Sequence, residues 1–323
     1  MKLRVLSQVL LISILFFSAA HAAAPYPVSI TLKSNKNSYV LGEPVYLHMK
    51  IQNESDRPLK FGAVLNPTAD LEIYLIQPNE LPERYTSVFK PALYPQTVYE
   101  LAPQEYKISE QTLLYNENAE SGLLFDHPGK YTIDCRIAFQ IDDRGAYKLY
   151  FPPINIEVNE PKESDKAAFQ LINQKSIIFD LHTGLAKDEN KAVFRKIVEQ
   201  YPRSTYAPYA LFALAGGEIF LQNPKQDYEK ARSLYERLVA DYEQFPQMDN
   251  VYYRVALCND MLGNEHEALK WIVKIMTQYP DSSSIRHNDS LFQKYIYSKE
   301  EKLEPGTWML MKREQVTTPS LTQ

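Results

Sequence analysis

The spacing of apolar residues changes once along this chain, and that change constrains the fold more than any other feature. Before Pro161 the apolar residues alternate. Val28, Ile30 and Leu32 share a face, as do Val45, Leu47, Met49 and Ile51, then Leu71, Ile73 and Leu75, then Tyr131, Ile133, Cys135, Ile137 and Phe139, then Ile154, Ile156 and Val158. A period of two is that of half-buried β-strands. After Pro161 the spacing becomes three and four: Phe194, Ile197 and Tyr201 recur as Tyr235, Leu238 and Tyr242 and again as Ile272, Ile275 and Tyr279, offset by 41 and then 37 residues. Such stripes belong to one face of a helix. The chain therefore reads as multidomain, all-β and then all-α, and its 323 residues suffice for about two domains, each with its own core.

In the first half, Pro and Gly turns such as Leu41-Gly42-Glu43-Pro44 and Asp126-His127-Pro128-Gly129 punctuate about seven strands within roughly 135 residues, the pattern of an antiparallel sandwich. Asp142-Asp143-Arg144-Gly145 reads as a hairpin turn rather than a calcium loop. Pro152 and Pro153 lack ladder donors and are expected to bend or interrupt the last strand. The segment Tyr39-Val40-Leu41-Gly42-Glu43-Pro44-Val45-Tyr46-Leu47, together with Pro128-Gly129-Lys130-Tyr131, resembles bacterial immunoglobulin-like modules. The resemblance implies an immunoglobulin-like β-sandwich over residues 23–160, with Tyr131 anchoring a corner between sheets.

In the second half, two of the striped helices end alike, in Tyr201-Pro202-Arg203-Ser204 and Tyr279-Pro280-Asp281-Ser282, where proline stops a helix and serine can cap the next. Partner helices are expected over 205–220 and 250–262, with Ala213 and Ala256 at equivalent positions and Gly263-Asn264 as a tight reversal. Ala256, Gly263, Ala268, Ile272, Ile275 and Pro280 together resemble the tetratricopeptide repeat family. The middle repeat departs from that pattern with Glu243 in place of proline, and the first with Asn190 in place of alanine and a leading helix drawn from about 164–181. The resemblance implies a TPR-like helical array over 186–297, with 161–185 as a helical linker or first repeat helix, and an inner surface in the last repeat offering Asn250, Tyr253, Leu257 and Asp260 to a protein or peptide partner. Tyr253 either reads that partner or packs against a neighbouring helix.

Residues 1–22 place Lys2 and Arg4 before an apolar run and a small-residue end, the order of a secretory signal peptide, so the mature protein is expected to be periplasmic or secreted and not inserted in a membrane. Its removal leaves 33 basic against 40 acidic side chains, a formal charge of −7 that disfavours nucleic acid. The histidines that remain are scattered without metal spacing, and no nucleophile elbow, phosphate loop or dinucleotide fingerprint occurs. No catalytic, metal or cofactor residues are assigned, and the chain is expected not to be an enzyme. Cys135 and Cys258, one in each half, are read as separate core thiols rather than a disulfide. Residues 298–323 are read as a polar, frayed tail. The expected function is protein–protein interaction or scaffolding through the helical groove. The alternative is an enzyme accessory, protease inhibitor or carbohydrate-binding protein acting through the sandwich loops, with the irregular stretch 78–103 as its feature.

Overall fold

The structure is a computed structural model that describes residues 28–62, 70–87, 99–141, 146–220, 225–286 and 290–297. The signal-peptide and polar-tail readings, the 142–145 turn itself and residues 88–98 of the irregular stretch lie outside the described residues. Strands come first: β1 (Val28–Ser34), β2 (Ser38–Val40), β3 (Val45–Asn53), β4 (Leu59–Gly62), β5 (Leu71–Ile76), β6 (Glu83–Arg84), β7 (Tyr99–Leu101), β8 (Tyr106–Leu113), β9 (Gly129–Ile141), β10 (Ala146–Tyr150) and β11 (Ile154–Asn159). Helices follow: α1 (Ser164–Ile172), α2 (Lys175–Thr183), α3 (Lys191–Gln200), α4 (Ala207–Glu218), α5 (Tyr228–Asp241), α6 (Met248–Met261), α7 (Glu265–Gln278), the short α8 (Ser283–Arg286), and α9 (Ser290–Phe292), which runs into a π-helical turn, Gln293–Tyr297. None of the described helices is long and apolar enough to cross a membrane.

The strands form two sheets. One has the order β1-β3-β8, and the other β2-β11-β9-β4-β7, with β5 and β10 also on β9 and β6 on β5. The alternating residues point inward, so that Val45, Leu47, Met49 and Ile51 of β3 and Ile133, Cys135 and Ile137 of β9 are fully buried. Strand β9 is the spine of its sheet. Along one side it pairs with β5, from Leu71↔Ile137 to Ile76↔Thr132, and along the other with β10 and then β11. Pro152 and Pro153 divide β10 from β11 without moving the chain to the other sheet, because Phe151 N–H still reaches Cys135 O at 2.9 Å and the ladder resumes at Ile154↔Ile133. Before β9 enters, Tyr131 Oη donates to His127 O at 2.8 Å and holds the turn shut.

The helices pack in sequence order, α3 on α4, α4 on α5, α5 on α6 and α6 on α7. Ala213, Ala231, Ala256 and Ala268 are fully buried where neighbouring helices approach. Helices α3, α5 and α7 end in one conformation. Tyr201, Tyr242 and Tyr279 have φ/ψ of −129/49, −138/58 and −129/60, and their N–H groups bond to the carbonyls of Ile197, Leu238 and Ile275. Each of these tyrosine carbonyls then accepts from the third residue on, Ser204, Phe245 and Ser282. The expected leading helix over 164–181 is instead two, because Gln174 is extended at φ −141, ψ 132 and the chain turns there before α2. Helix α4 is buried on every side, as expected of a helix whose residues 207–217 carry no charge. Its glycine pair admits the preceding segment closely. A Cβ on Gly216 would lie 2.1 Å from Gly184 O, and one on Gly217 2.2 Å from Ala186 O.

Candidate functional site

The two halves are joined first through the turn between β2 and β3. Gly42 takes φ +82, and a Cβ there would meet Phe169 Cε2 at 2.9 Å, so the turn reaches its place against α1 only with glycine. Around it, Tyr206 Oη donates to Leu41 O at 2.6 Å and Tyr209 Oη donates to Glu43 Oε1 at 3.0 Å. The Glu43 carboxylate also takes Lys36 Nζ at 2.5 Å and the Val40 N–H at 3.0 Å, so a buried charge is fully partnered. Burial pushes the Tyr209 phenol well above its ordinary pKa, which keeps it a donor to Glu43. Beyond this socket, the edge strand β8 meets the chain after α7. Tyr106 Oη donates to Asp281, and Ser283 Oγ donates to Glu110 Oε2 at 3.4 Å.

Between these two contacts the halves leave a cavity of about 240 Å³. The sheet contributes Tyr46, Glu110, Gln111 and Thr112, with Tyr85 and Ser87 nearby. The helices contribute His182 and Thr183 from α2, Phe212 from α4, and Asn250 and Arg254 from α6 with Gln247 at its start. Tyr46 stacks on Tyr209 with ring centroids 6.3 Å apart, linking cavity and socket. Glu110 is engaged by His48 Nδ1 at 3.0 Å, and that hydrogen bond holds the imidazole above its ordinary pKa. His182 is the opposite case, since burial pushes its pKa down to about 4 and leaves it neutral. Asp249, beside the lining residue Asn250 in sequence, is held above the usual carboxylate range by burial and then by the charge of Glu110. Arg254 Nε donates to Asn250 Oδ1 at 3.3 Å.

The four residues expected to read a partner share a half-buried stripe on α6 but have different surroundings. Asn250 opens into the cavity. Tyr253 and Leu257 pack at the margin of the core. Asp260 accepts from Lys294 Nζ at 2.7 Å and Tyr295 Oη at 2.5 Å, so the segment after α9 covers it. Burial opposes ionisation of Asp260, yet these two donors hold its carboxyl below the usual range. The stripe therefore joins one member, Asn250, to the cavity and gives another, Asp260, to Lys294 and Tyr295 of the same chain.

Sequence reasoning missed Tyr46, Glu110, His182 and Arg254. One signal was available: Val45-Tyr46-Leu47 breaks the strict alternation, and all three are buried, which requires cover on both faces of β3. A second buried charge cluster closes on itself, with Lys191 Nζ 3.2 Å and Lys230 Nζ 2.9 Å from Glu218, and serves to tie α3 and α5 to the end of α4. Cys135 and Cys258 are both free and buried, and burial pushes each thiol up to about 12, far from a reactive thiolate. Among the described residues no group of His, Cys, Asp and Glu could hold a metal ion. Asn53, which begins an Asn-Glu-Ser tripeptide, is fully buried and donates to Arg57, Leu101 and Ala102 carbonyls, so it serves the fold.

No family model matches the chain, and no curated protein matches it. Among solved structures, the structural-genomics target SoR45 is similar at 9% identity over 42% of this chain and 90% of that one, with a TM-score of 0.28. The alkylpurine DNA glycosylase AlkC of Pseudomonas fluorescens is similar at 11% identity over 41% of this chain and 30% of its own, TM-score 0.25. The sporulation control protein Spo0M of Bacillus subtilis is similar at 13% identity over 46% and 55%, TM-score 0.25. Likeness this slight carries no argument about function.

Proposed function

We propose that this chain is an exported, non-enzymatic binding protein in which an immunoglobulin-like β-sandwich is fixed against a tetratricopeptide-like array, with the ligand site at their junction. The shared ends of α3, α5 and α7 support the repeat reading, and the Tyr131 hydrogen bond supports the sandwich reading. The charged, apolar and small-residue order of residues 1–22 supports export. The observation that carries the binding function is the cavity itself. It is lined from both halves by convergent polar groups and aromatic rings, and it holds Asn250 from the stripe expected to read a partner. An open peptide groove along α6 fits less well, because such a ligand would compete with Lys294 and Tyr295 for Asp260.

The test is a thermal-shift screen of the mature full chain against small polar molecules and short peptides, followed by calorimetry and by mass spectrometry of the recovered ligand. Compounds that bind the wild type, bind at least tenfold more weakly to Asn250→Ala, and return chemically unchanged support the reading. Binding indifferent to Asn250→Ala and Gln247→Ala moves the site elsewhere, and conversion of the ligand makes the protein an enzyme.

A further inference from the structure

Arg254 sets the chemistry of the junction cavity. Its Nε is used by Asn250 at 3.3 Å, and among the described residues no carboxylate stands within ion-pair distance of the guanidinium. A half-buried cation with no counter-charge is costly, and a guanidinium presents a fork that matches a carboxylate. The one acid in the same lining, Glu110, is taken up by His48 at 3.0 Å and Ser283 at 3.4 Å. An anionic ligand group is thus matched to Arg254.

The rest of the lining is uncharged. Gln111, Thr112, Gln247 and Asn250 supply amides and hydroxyls suited to a ligand with several hydroxyl groups. Tyr46, Tyr85 and Phe212 supply aromatic surface on which the C–H face of a ring can rest. The volume, about 240 Å³, is below the roughly 300 Å³ at which sites for drug-sized ligands begin, so the space suits one ring and not a chain of them.

We infer that the cavity binds an acidic monosaccharide of the uronic acid type, its carboxylate paired with Arg254 and its hydroxyls with the amides around it. This inference rests on the junction as the ligand site and adds the ligand class. It is tested by calorimetric titration of the mature full chain with sodium glucuronate, with glucose and sodium acetate as the two partial probes. The expected result is saturable one-to-one glucuronate binding. Glucose should bind roughly tenfold or more weakly for want of the ion pair, and acetate more weakly still for want of the ring. Arg254→Gln should lose the preference for glucuronate over glucose, and Arg254→Lys, which keeps the charge without the fork, should retain part of it. Thermal melts of both variants establish that they fold, and if Arg254→Gln does not, the Arg254→Lys comparison and the glucose arm decide. Equal binding of glucose, equal binding of acetate, or an undiminished preference in folded Arg254→Gln overturns the inference. Absence of glucuronate binding overturns it too. If other ligands in the screen remain Asn250-dependent, the junction site survives this failure; if nothing binds, both fall.

Discussion

The two contacts between the strand half and the helical half are built on opposite terms. At the turn Leu41-Gly42-Glu43-Pro44, aromatic rings from α1 and α4 close over backbone and a partnered carboxylate, and Leu41, Glu43, Tyr206 and Tyr209 are all buried. Along β8, the contacts with Asp281 and Ser283 are polar, partly exposed and widely spaced, and a cavity opens beside them. The difference separates two tasks. Burial at the turn fixes the relative position of the halves, while the looser packing beside β8 leaves a space lined by polar side chains.

The strongest way to break this contrast is Tyr209→Ala. It removes a buried ring packed on Tyr46 and Phe245 and the donor to Glu43, and should cost about 4 kcal/mol in urea unfolding of the full chain. A loss below about 1 kcal/mol would mean that the turn does not hold the halves together. Gly42→Val should cost about 3 kcal/mol, from the left-handed backbone and the collision with Phe169 together. Gly263→Val is its control. That glycine has nearly the same angle, φ +77, but nothing within 4 Å of a Cβ, so only the backbone penalty of about 1–2 kcal/mol should remain.

Acid should sharpen the contrast through His182. In the unfolded chain its imidazole protonates near 6.5, but in the fold burial delays protonation to about 4. The unfolded state therefore binds more protons between these values, so the stability this residue contributes is complete above pH 6.5 and is lost as the pH falls toward 4. His182→Gln should remove up to about 3 kcal/mol of that acid sensitivity, read as the difference between wild-type and variant stability–pH curves. Identical curves would mean that water reaches the ring. The smallest effect belongs to Tyr106→Phe on the exposed side, which should stay within about 0.5 kcal/mol of wild type in the same unfolding measurement.

Much of the chain's secondary structure was legible because it is local. The inward residues of β3 and β9 are set by alternation, and the buried stripes of α3, α5 and α7 by spacing. About seven strands were readable where eleven are described, since β2, β6 and β7 are two or three residues long and cannot display a period. The break at Asn173-Gln174 was equally silent, as neither residue is a strong helix breaker. What escaped altogether is the junction. Leu41 and Tyr206 are 165 residues apart, and nothing in a turn sequence says that a distant tyrosine will close on its carbonyl. The uncharged run through α4 did hold a trace of it, for a helix apolar all round needs cover from more than its repeat neighbours. Arg254 offered no trace, because its significance lies in which carboxylates are not beside it.

Strand β2 pairs in parallel with β11, and Asn159 Nδ2 reaches Ser38 Oγ across 121 residues of chain. Closing a loop of that length costs about 4 kcal/mol of entropy, before any neighbour repays it. The helical hairpins need no such encounter and form from near neighbours in microseconds to milliseconds. The strand half therefore carries the larger closure cost, and the meeting of β2 with β11 is the contact that local structure helps least.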